Sequence, residues 1–351
     1  MSEQSTSGAV LCCCAALSVL VFASCVPGGS PSGASAAAST ATVVAVSAGP
    51  ILVMDTRVYT VGNEAKPTLL ATLPESVRQR SVCARDGGLL AWAQGEQLLY
   101  AVDACGRVSG RWELKAASVW MSATRVLARS ELYEDGAGFS YTLYEYSDAR
   151  GPIALGSWSL DLFPADVVFA ADGRVVLAGA NAADTTHTLW AIAGSNAQLV
   201  LEFPKDMDFA RLVAHGPDLF VFTSSGAKTH PAPKAHRFWR LSQDGRIDCM
   251  DVRGLPAGAL RPYGSGFSLG DTVCIPWAMD NGQVNLVCLV PNGTQLDTVA
   301  LAEDARGVYA VLGADSSDGS MWYLAMDWAK ESGKSWLGNW DGKTLNFFPM
   351  P

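Results

Sequence analysis

Three features of the sequence have residue types that could carry chemistry. Gly266-Phe267-Ser268-Leu269-Gly270 matches G-x-S-x-G, which in hydrolases is a sharp strand-to-helix turn presenting a nucleophilic serine. Here the following segment, 272–278, reads as another strand, so no catalytic residue is assigned. His230 and His236 share the segment 229–236, THPAPKAH. A metal site needs three or four ligands with supporting partners, and no Cys or carboxylate lies close by. The segment therefore reads as a solvated basic loop, with no metal and no cofactor assigned. Beyond Cys25 the chain carries Cys83, Cys105, Cys249, Cys274 and Cys288. That number is odd, so at least one is free or paired between chains. Cys274 and Cys288 stand symmetrically about Asn281, inside the turn Asp280-Asn281-Gly282. In an oxidising compartment they are predicted to face each other on adjacent strands and form a disulfide.

The elements that would position these residues are strands. Hydrophobic residues make up 49% of the chain and charged residues 17%, enough for a large core and far from a disordered composition. The formal net charge of −9 argues against a nucleic-acid surface, which needs clustered cations. From Thr42 onward one short strand recurs: TRVYTV (56–61), QLLYAV (97–102), YTLYEY (141–146), HTLWAI (187–192), HRFWRL (236–241), VNLVCL (284–289) and KSWLGN (334–339). Its fourth residues, Tyr59, Tyr100, Tyr144, Trp190, Trp239, Val287 and Leu337, are 41, 44, 46, 49, 48 and 50 residues apart. That is the period of four-stranded blades. Asp244-Gly245, Asn292-Gly293 and Asp341-Gly342 follow this strand as hairpin dipeptides. The repeat predicts an all-β fold, a β-propeller of seven four-stranded blades. Six or eight blades are the neighbouring counts, and a pair of β-sandwiches or another solenoid is the alternative. The marker residues are predicted to pack between neighbouring blades, which bury their faces by stacking. The fourth blade reads as strands 165–170, 174–179, 187–192 and 197–203.

The segment 98–107, LLYAVDACGR, resembles the blade signature of quinoprotein-type propellers and of the propeller lipoprotein of the outer-membrane barrel assembly machine. The tryptophan of that pattern comes late here, at Trp112, and the threonine before the glycine is missing. No quinone-binding residue carries over. The segment 316–322, SSDGSMW, is similar to the Asp-box turn of sialidases but one residue short, and reads as a structural turn.

The N-terminus carries a separate signal. Residues 8–24 are almost wholly apolar or small, a run shorter than the ~20 residues of a membrane-spanning helix and suited to a signal-peptide core. Phe22-Ala23-Ser24-Cys25 resembles the lipobox of bacterial lipoproteins, with Phe nearer the relaxed spirochaetal pattern. No Lys or Arg precedes Arg57, a departure from the usual positive start. The resemblance implies a signal peptide over 1–24, a lipidated Cys25 and a Gly/Ser/Pro/Ala tether over 25–41. The propeller would then occupy 42–351. Such a coil spans about 20 Å. The expected location is the cell envelope, lipid-anchored to a bacterial membrane and facing the periplasm.

These readings predict a non-enzymatic propeller that binds or scaffolds an envelope protein or other envelope component. The alternative is a periplasmic small-ligand binder or enzyme using the central pocket. Long insertions fall between the second and third strands of blades three (131–139), five (224–235) and seven (327–333). Rigid scaffolds commonly carry function on such loops, so Tyr133, Glu134, Lys228, His230 and Trp328 are the candidate contacts.

Overall fold

The computed structural model describes residues 50–61, 66–85, 88–134, 138–182, 184–225, 236–315, 318–326 and 334–350. The chain separates into two units, Met1–Thr42 and Val43–Pro351. The first lies wholly outside the described residues, and with it the predicted signal peptide, Cys25 and tether.

The described part of the second unit is built of strands, with one 3-10 turn at Gln79–Ser81. It is an all-β propeller. Blade two is Val82–Arg85, Gly88–Ala93, Leu98–Asp103 and Val108–Glu113. Blade three is Ser118–Met121, Arg125–Glu134, Gly138–Ser147 and Gly151–Leu160. Blade four is Phe163–Phe169, Val175–Ala180, His187–Ala193 and Asn196–Glu202, close to its sequence reading. Blade five is Met207–His215, Asp218–Ser225, His236–Leu241 and Ile247–Arg253. Blade seven is Val308–Ala314, Met321–Met326, Ser335–Trp340 and Leu345–Pro349.

Two blades depart from the expected pattern. Blade six has a broken inner strand, Ala259–Pro262 and Phe267–Leu269, both paired with Thr272–Met279; Val284–Asn292 and Gln295–Ala302 follow. Blade one shows three strands, Ile51–Met54, Arg57–Val61 and Pro67–Thr72. Their burial runs from closed to open as it does in the second, third and outer strands elsewhere. The ladder shift at Val58/Tyr59 matches the shifts at Leu143/Tyr144 and Leu189/Trp190 between third and outer strands.

The all-β propeller expected with seven four-stranded blades, six or eight being the neighbouring counts, is joined by hydrogen bonds as follows. The seven repeats form six hydrogen-bonded sheets. The outer strands of blades five and six pair in parallel over Asp251–Arg253 and Gln295–Asp297, merging those blades into one nine-stranded sheet. An outer strand has an unpaired edge, and here two edges satisfy each other.

The core is not one mass. Among the described residues, buried side chains form seven clusters, each between consecutive blades. The marker residues sit in them as predicted. Tyr100, Tyr144, Trp190, Trp239 and Val287 each pack toward the preceding blade. Tyr59 does the same across the closure, against Trp322 and Leu324 of blade seven. The seventh marker was misaligned by one. Leu337 faces blade one, and Trp336 faces blade six. Successive strand residues point to opposite faces, so a one-residue slip exchanges the neighbours.

Cys274 and Cys288 stand directly opposite each other in blade six and are bridged, with their Cα atoms 4.1 Å apart. Both are buried against blade seven.

Leu52 is fully buried where blade one meets blade seven, so Leu52→Ala is expected to cost about 2–5 kcal/mol by opening a cavity. Leu69→Ala, at an outer-strand position 53% exposed, is expected to stay within about 0.5 kcal/mol. Denaturant midpoints measure both. Equal effects would mean that the ring closure does not carry the fold.

The bridge closes a loop of 14 residues, for which chain entropy predicts about 3 kcal/mol. The Cys274→Ala/Cys288→Ala double variant is expected to lose about that much. Peptide mapping of unreduced protein should recover the two cysteines in one linked pair; two free thiols would refute the pairing.

Candidate functional site

The two faces of the propeller differ in what they leave available. One face carries the turns between first and second strands and between third and outer strands. Here Asp side chains hold their own backbone: Asp103 accepts from the N–H groups of Cys105 and Arg107, Asp172 from Arg174, Asp244 from Arg246, and Asp341 from Lys343 and Thr344. These are Asx turns, in which a short carboxylate mimics a backbone acceptor. Gly173 sits at φ +84, a conformation glycine adopts without steric cost.

The same face is tied together blade to blade by arginines. Arg85 of blade two pairs with Asp148 of blade three. Arg125 of blade three donates to the Gly173 carbonyl of blade four. Arg174 of blade four donates to the Ser242 carbonyl of blade five at 3.3 Å, and Arg240 of blade five to the Gly293 carbonyl of blade six at 3.3 Å. His215 Nδ1 and Ser268 Oγ, 2.7 Å apart, add a link between blades five and six. This is where the G-x-S-x-G serine lies: on the strand Phe267–Leu269, followed by a turn and another strand. Asp218, paired opposite His215 in the ladder, faces Arg240 at 3.7 Å. The pair is built as an interblade latch, and His215 was not singled out from sequence.

The opposite face carries the connections between blades and the turns between second and third strands. Its best-defined feature is in blade three. The predicted loop 131–139 is largely strand: Arg125–Glu134 and Gly138–Ser147 are ten residues each and pair up to Gly138 opposite Glu134. The corresponding second strands of blades two, four and seven have six residues. The insertion is thus an extended hairpin rather than a loop. Its root is packed. Tyr141 donates its hydroxyl to the Leu162 carbonyl at 2.7 Å, and burial pushes that phenol far above its usual range. Phe139 meets Phe163 edge-on at 4.7 Å, and the Arg129 guanidinium lies over both rings at 4.6 and 5.6 Å. Phe163 remains 49% exposed, so this aromatic–cation cluster opens to solvent.

Of the candidate contacts, Tyr133 and Glu134 lie on this hairpin, Tyr133 opposite Phe139 and Glu134 opposite Gly138. Lys228, His230 and Trp328 lie outside the described residues. His236 is not placed as a loop ligand. It bonds Ser224 Oγ at 2.9 Å and the Ala259 carbonyl at 3.1 Å, and meets Trp277 edge-on at 5.2 Å.

The axis holds a second feature. A cavity of about 410 Å³ is lined by inner-strand residues of blades two to seven and by Gln79. It corresponds to the central pocket of the alternative reading.

The chain matches no family model and no curated protein. Solved structures do resemble it. The acylaminoacyl peptidase of Pyrococcus horikoshii aligns at a TM-score of 0.51 and 11% identity, covering 86% of this chain and 50% of the peptidase. A puromycin-hydrolyzing peptidase of Mycobacterium tuberculosis aligns at 0.52 and 12%, covering 86% and 53%. The β-propeller domain of the Trilobed protease from Pyrococcus furiosus aligns at 0.49 and 12%, covering 77% and 84%. The chain spans about half the length of the first two. At such identities the likeness concerns fold alone.

The cysteines outside the bridge differ in exposure. Cys105 and Cys249 are exposed, whereas burial pushes the Cys83 thiol up to about 11 against a smaller opposing pull from Arg85. The thiolate is the reactive form. Iodoacetamide at pH 8 is therefore expected to modify Cys105 and Cys249 and to spare Cys83, whose rate should climb until the pH passes about 11. Mass mapping over time reads this out; early modification of Cys83 at pH 8 would contradict its burial.

Proposed function

We propose that this protein is a lipid-anchored envelope component that works as a non-enzymatic interaction scaffold and meets its partner through the hairpin-bearing face. One observation carries the reading: the two faces are committed differently. The tight-turn face spends its carboxylates on Asx turns and its arginines on neighbouring blades. The other face extends a hairpin of two ten-residue strands with a half-exposed Phe163 at its root. Aromatic and arginine side chains are the groups that concentrate binding energy at protein interfaces. The lipobox-like Phe22-Ala23-Ser24-Cys25 and the tether that follows it supply the anchor in this proposal.

In-cell photo-cross-linking tests the anchor and the face together. A photoreactive residue is placed at Tyr133 or Phe163 on one face and at Lys343 or Arg107 on the other, in wild type and in Cys25→Ser. The expected result is one adduct band from Tyr133 or Phe163 only, together with loss of membrane association and of fatty-acid label in Cys25→Ser. Equal adducts from both faces, or unchanged labelling of Cys25→Ser, would overturn the corresponding half of the proposal.

A further inference from the structure

Arg306 stands in the connection between blades six and seven, on the hairpin-bearing face. Its backbone is pinned on both sides. Asp304 N–H donates to Asn285 Oδ1 at 3.4 Å, Ala305 N–H to the Val284 carbonyl at 2.5 Å, and Met326 N–H to the Gly307 carbonyl at 3.0 Å. Asp304 and Arg306 both sit at φ +54, in the left-handed region that arginine rarely adopts. Such conformations persist where the surroundings over-determine them, and they cluster at ligand clamps.

The side chain is held through its flat faces. The guanidinium carbon lies 4.1 Å from the centre of the Trp336 ring and 4.4 Å from that of Phe347. Stacking on rings leaves the edge of a guanidinium unused, and all five N–H donors lie in that edge. Among the described residues no side-chain or backbone acceptor takes it, Glu303 and Asp304 of the same loop included, and Nη1 is enclosed without a partner. Tyr323, buried and edge-on to Phe347 at 6.4 Å, likewise has a hydroxyl with no partner among the described residues. Arg129 shows the contrast: it lies over Phe139 and Phe163 in the same way, but its Nη2 has Ser118 Oγ at 3.5 Å. A charge drawn partly out of water is costly until it is paired. Arg306 and Trp336 are both part-exposed, so an incoming group can reach the stack.

We propose that the stack of Arg306, Trp336 and Phe347 anchors the protein partner by taking an Asp or Glu side chain from it. The carboxylate meets the guanidinium edge by charge-assisted hydrogen bonds, strongest in the paired Arg–carboxylate geometry. The methylenes of the same side chain lie against Trp336. Arginine and tryptophan are the residue types that most often dominate interface energetics. The proposal rests on the hairpin-bearing face being the interaction face, and it adds the chemistry of the partner: an acidic protein segment.

Fluorine NMR of the full-length protein carrying 5-fluorotryptophan tests it, with the Trp336 resonance identified from Trp336→Phe. The probes are a capped Glu-Glu-Glu peptide and its Gln-Gln-Gln counterpart. The acidic peptide is expected to move the Trp336 resonance, and the neutral one to bind about tenfold more weakly. Arg306→Gln is expected to abolish the preference, and Arg306→Lys to restore part of it. Should Arg306→Gln fail to fold, the peptide pair and Arg306→Lys decide alone. An unmoved Trp336 resonance at millimolar acidic peptide, equal response to both peptides, or a response to phosphatidylglycerol vesicles and not to the peptide would each overturn the proposal. Photo-cross-linking from Tyr133 separates this from the assignment of the face. An adduct that persists undiminished in Arg306→Glu removes the anchor and leaves the face, whereas no adduct from Tyr133 in wild type removes the face while the peptide titration still decides the stack.

Discussion

A four-stranded blade has two apolar faces and cannot cover either by itself. In this protein each face is covered by the next blade, so everything depends on the last blade meeting the first. Leu52 and Val61 of blade one bury against Trp322, Leu324 and Leu337 of blade seven. At about 25 cal/mol per Å² of apolar surface, losing one contact of this kind would expose two faces at once. Closure is also helped from the axis. The Gln79 amide takes the Val53 N–H and the Ile51 carbonyl, groups on the edge of Ile51–Met54 that faces away from its partner strand. One side chain thereby does for blade one part of what an inner strand does elsewhere.

The same stacking explains why the two faces diverge. Radial packing fixes where each blade ends, and the tight turns of adjacent blades then lie side by side. An arginine at the start or end of a strand reaches the next blade's turn without leaving its own ladder. The recurrence from blade two to blade six shows a shared geometric solution rather than isolated ion pairs. Surface pairs are individually weak, but Arg174 and Arg240 are only 17% and 21% exposed and donate to turn carbonyls of the next blade. The face so stitched has little freedom to reshape around a partner.

The repeat was legible because one bulky residue per blade marks the third strand, and six of those markers pack toward the preceding blade. The seventh was not, because Trp336 and Leu337 are both bulky and only their neighbours tell which one points where. The blade-three hairpin read as a loop because Asp135-Gly136-Ala137-Gly138 has turn composition, yet its flanks pair to within three residues of each other. The arginine ties and the His215–Ser268 latch were out of reach of any local pattern. Their partners lie 48 to 68 residues apart, about one repeat or more, and become neighbours only once the ring exists. The Cys274–Cys288 pair was local, since a hairpin whose turn Asp280-Asn281-Gly282 is centred on Asn281 places those residues opposite.

The break in blade six shows how closure and cavity are compatible. An unbroken inner strand would run straight through 263–266, but after Tyr263, whose N–H still bonds the Pro276 carbonyl, Gly264-Ser265-Gly266 steps out of the ladder. Gly264 approaches Val308 of blade seven, where it forms an isolated bridge, and Gly266 approaches Val213 of blade five, 2.4 Å from where its Cβ would be. One segment therefore touches both neighbouring blades at the axis, and only glycine fits at either contact. The outer strands of blades five and six are also joined, at the far edge of the same region. Blades five to seven are thus held at the axis, and five and six at the rim as well, which leaves the space between them open without loosening them. The void on the axis follows from small residues that keep three blades together. It is a built feature of the packing and not a defect in it.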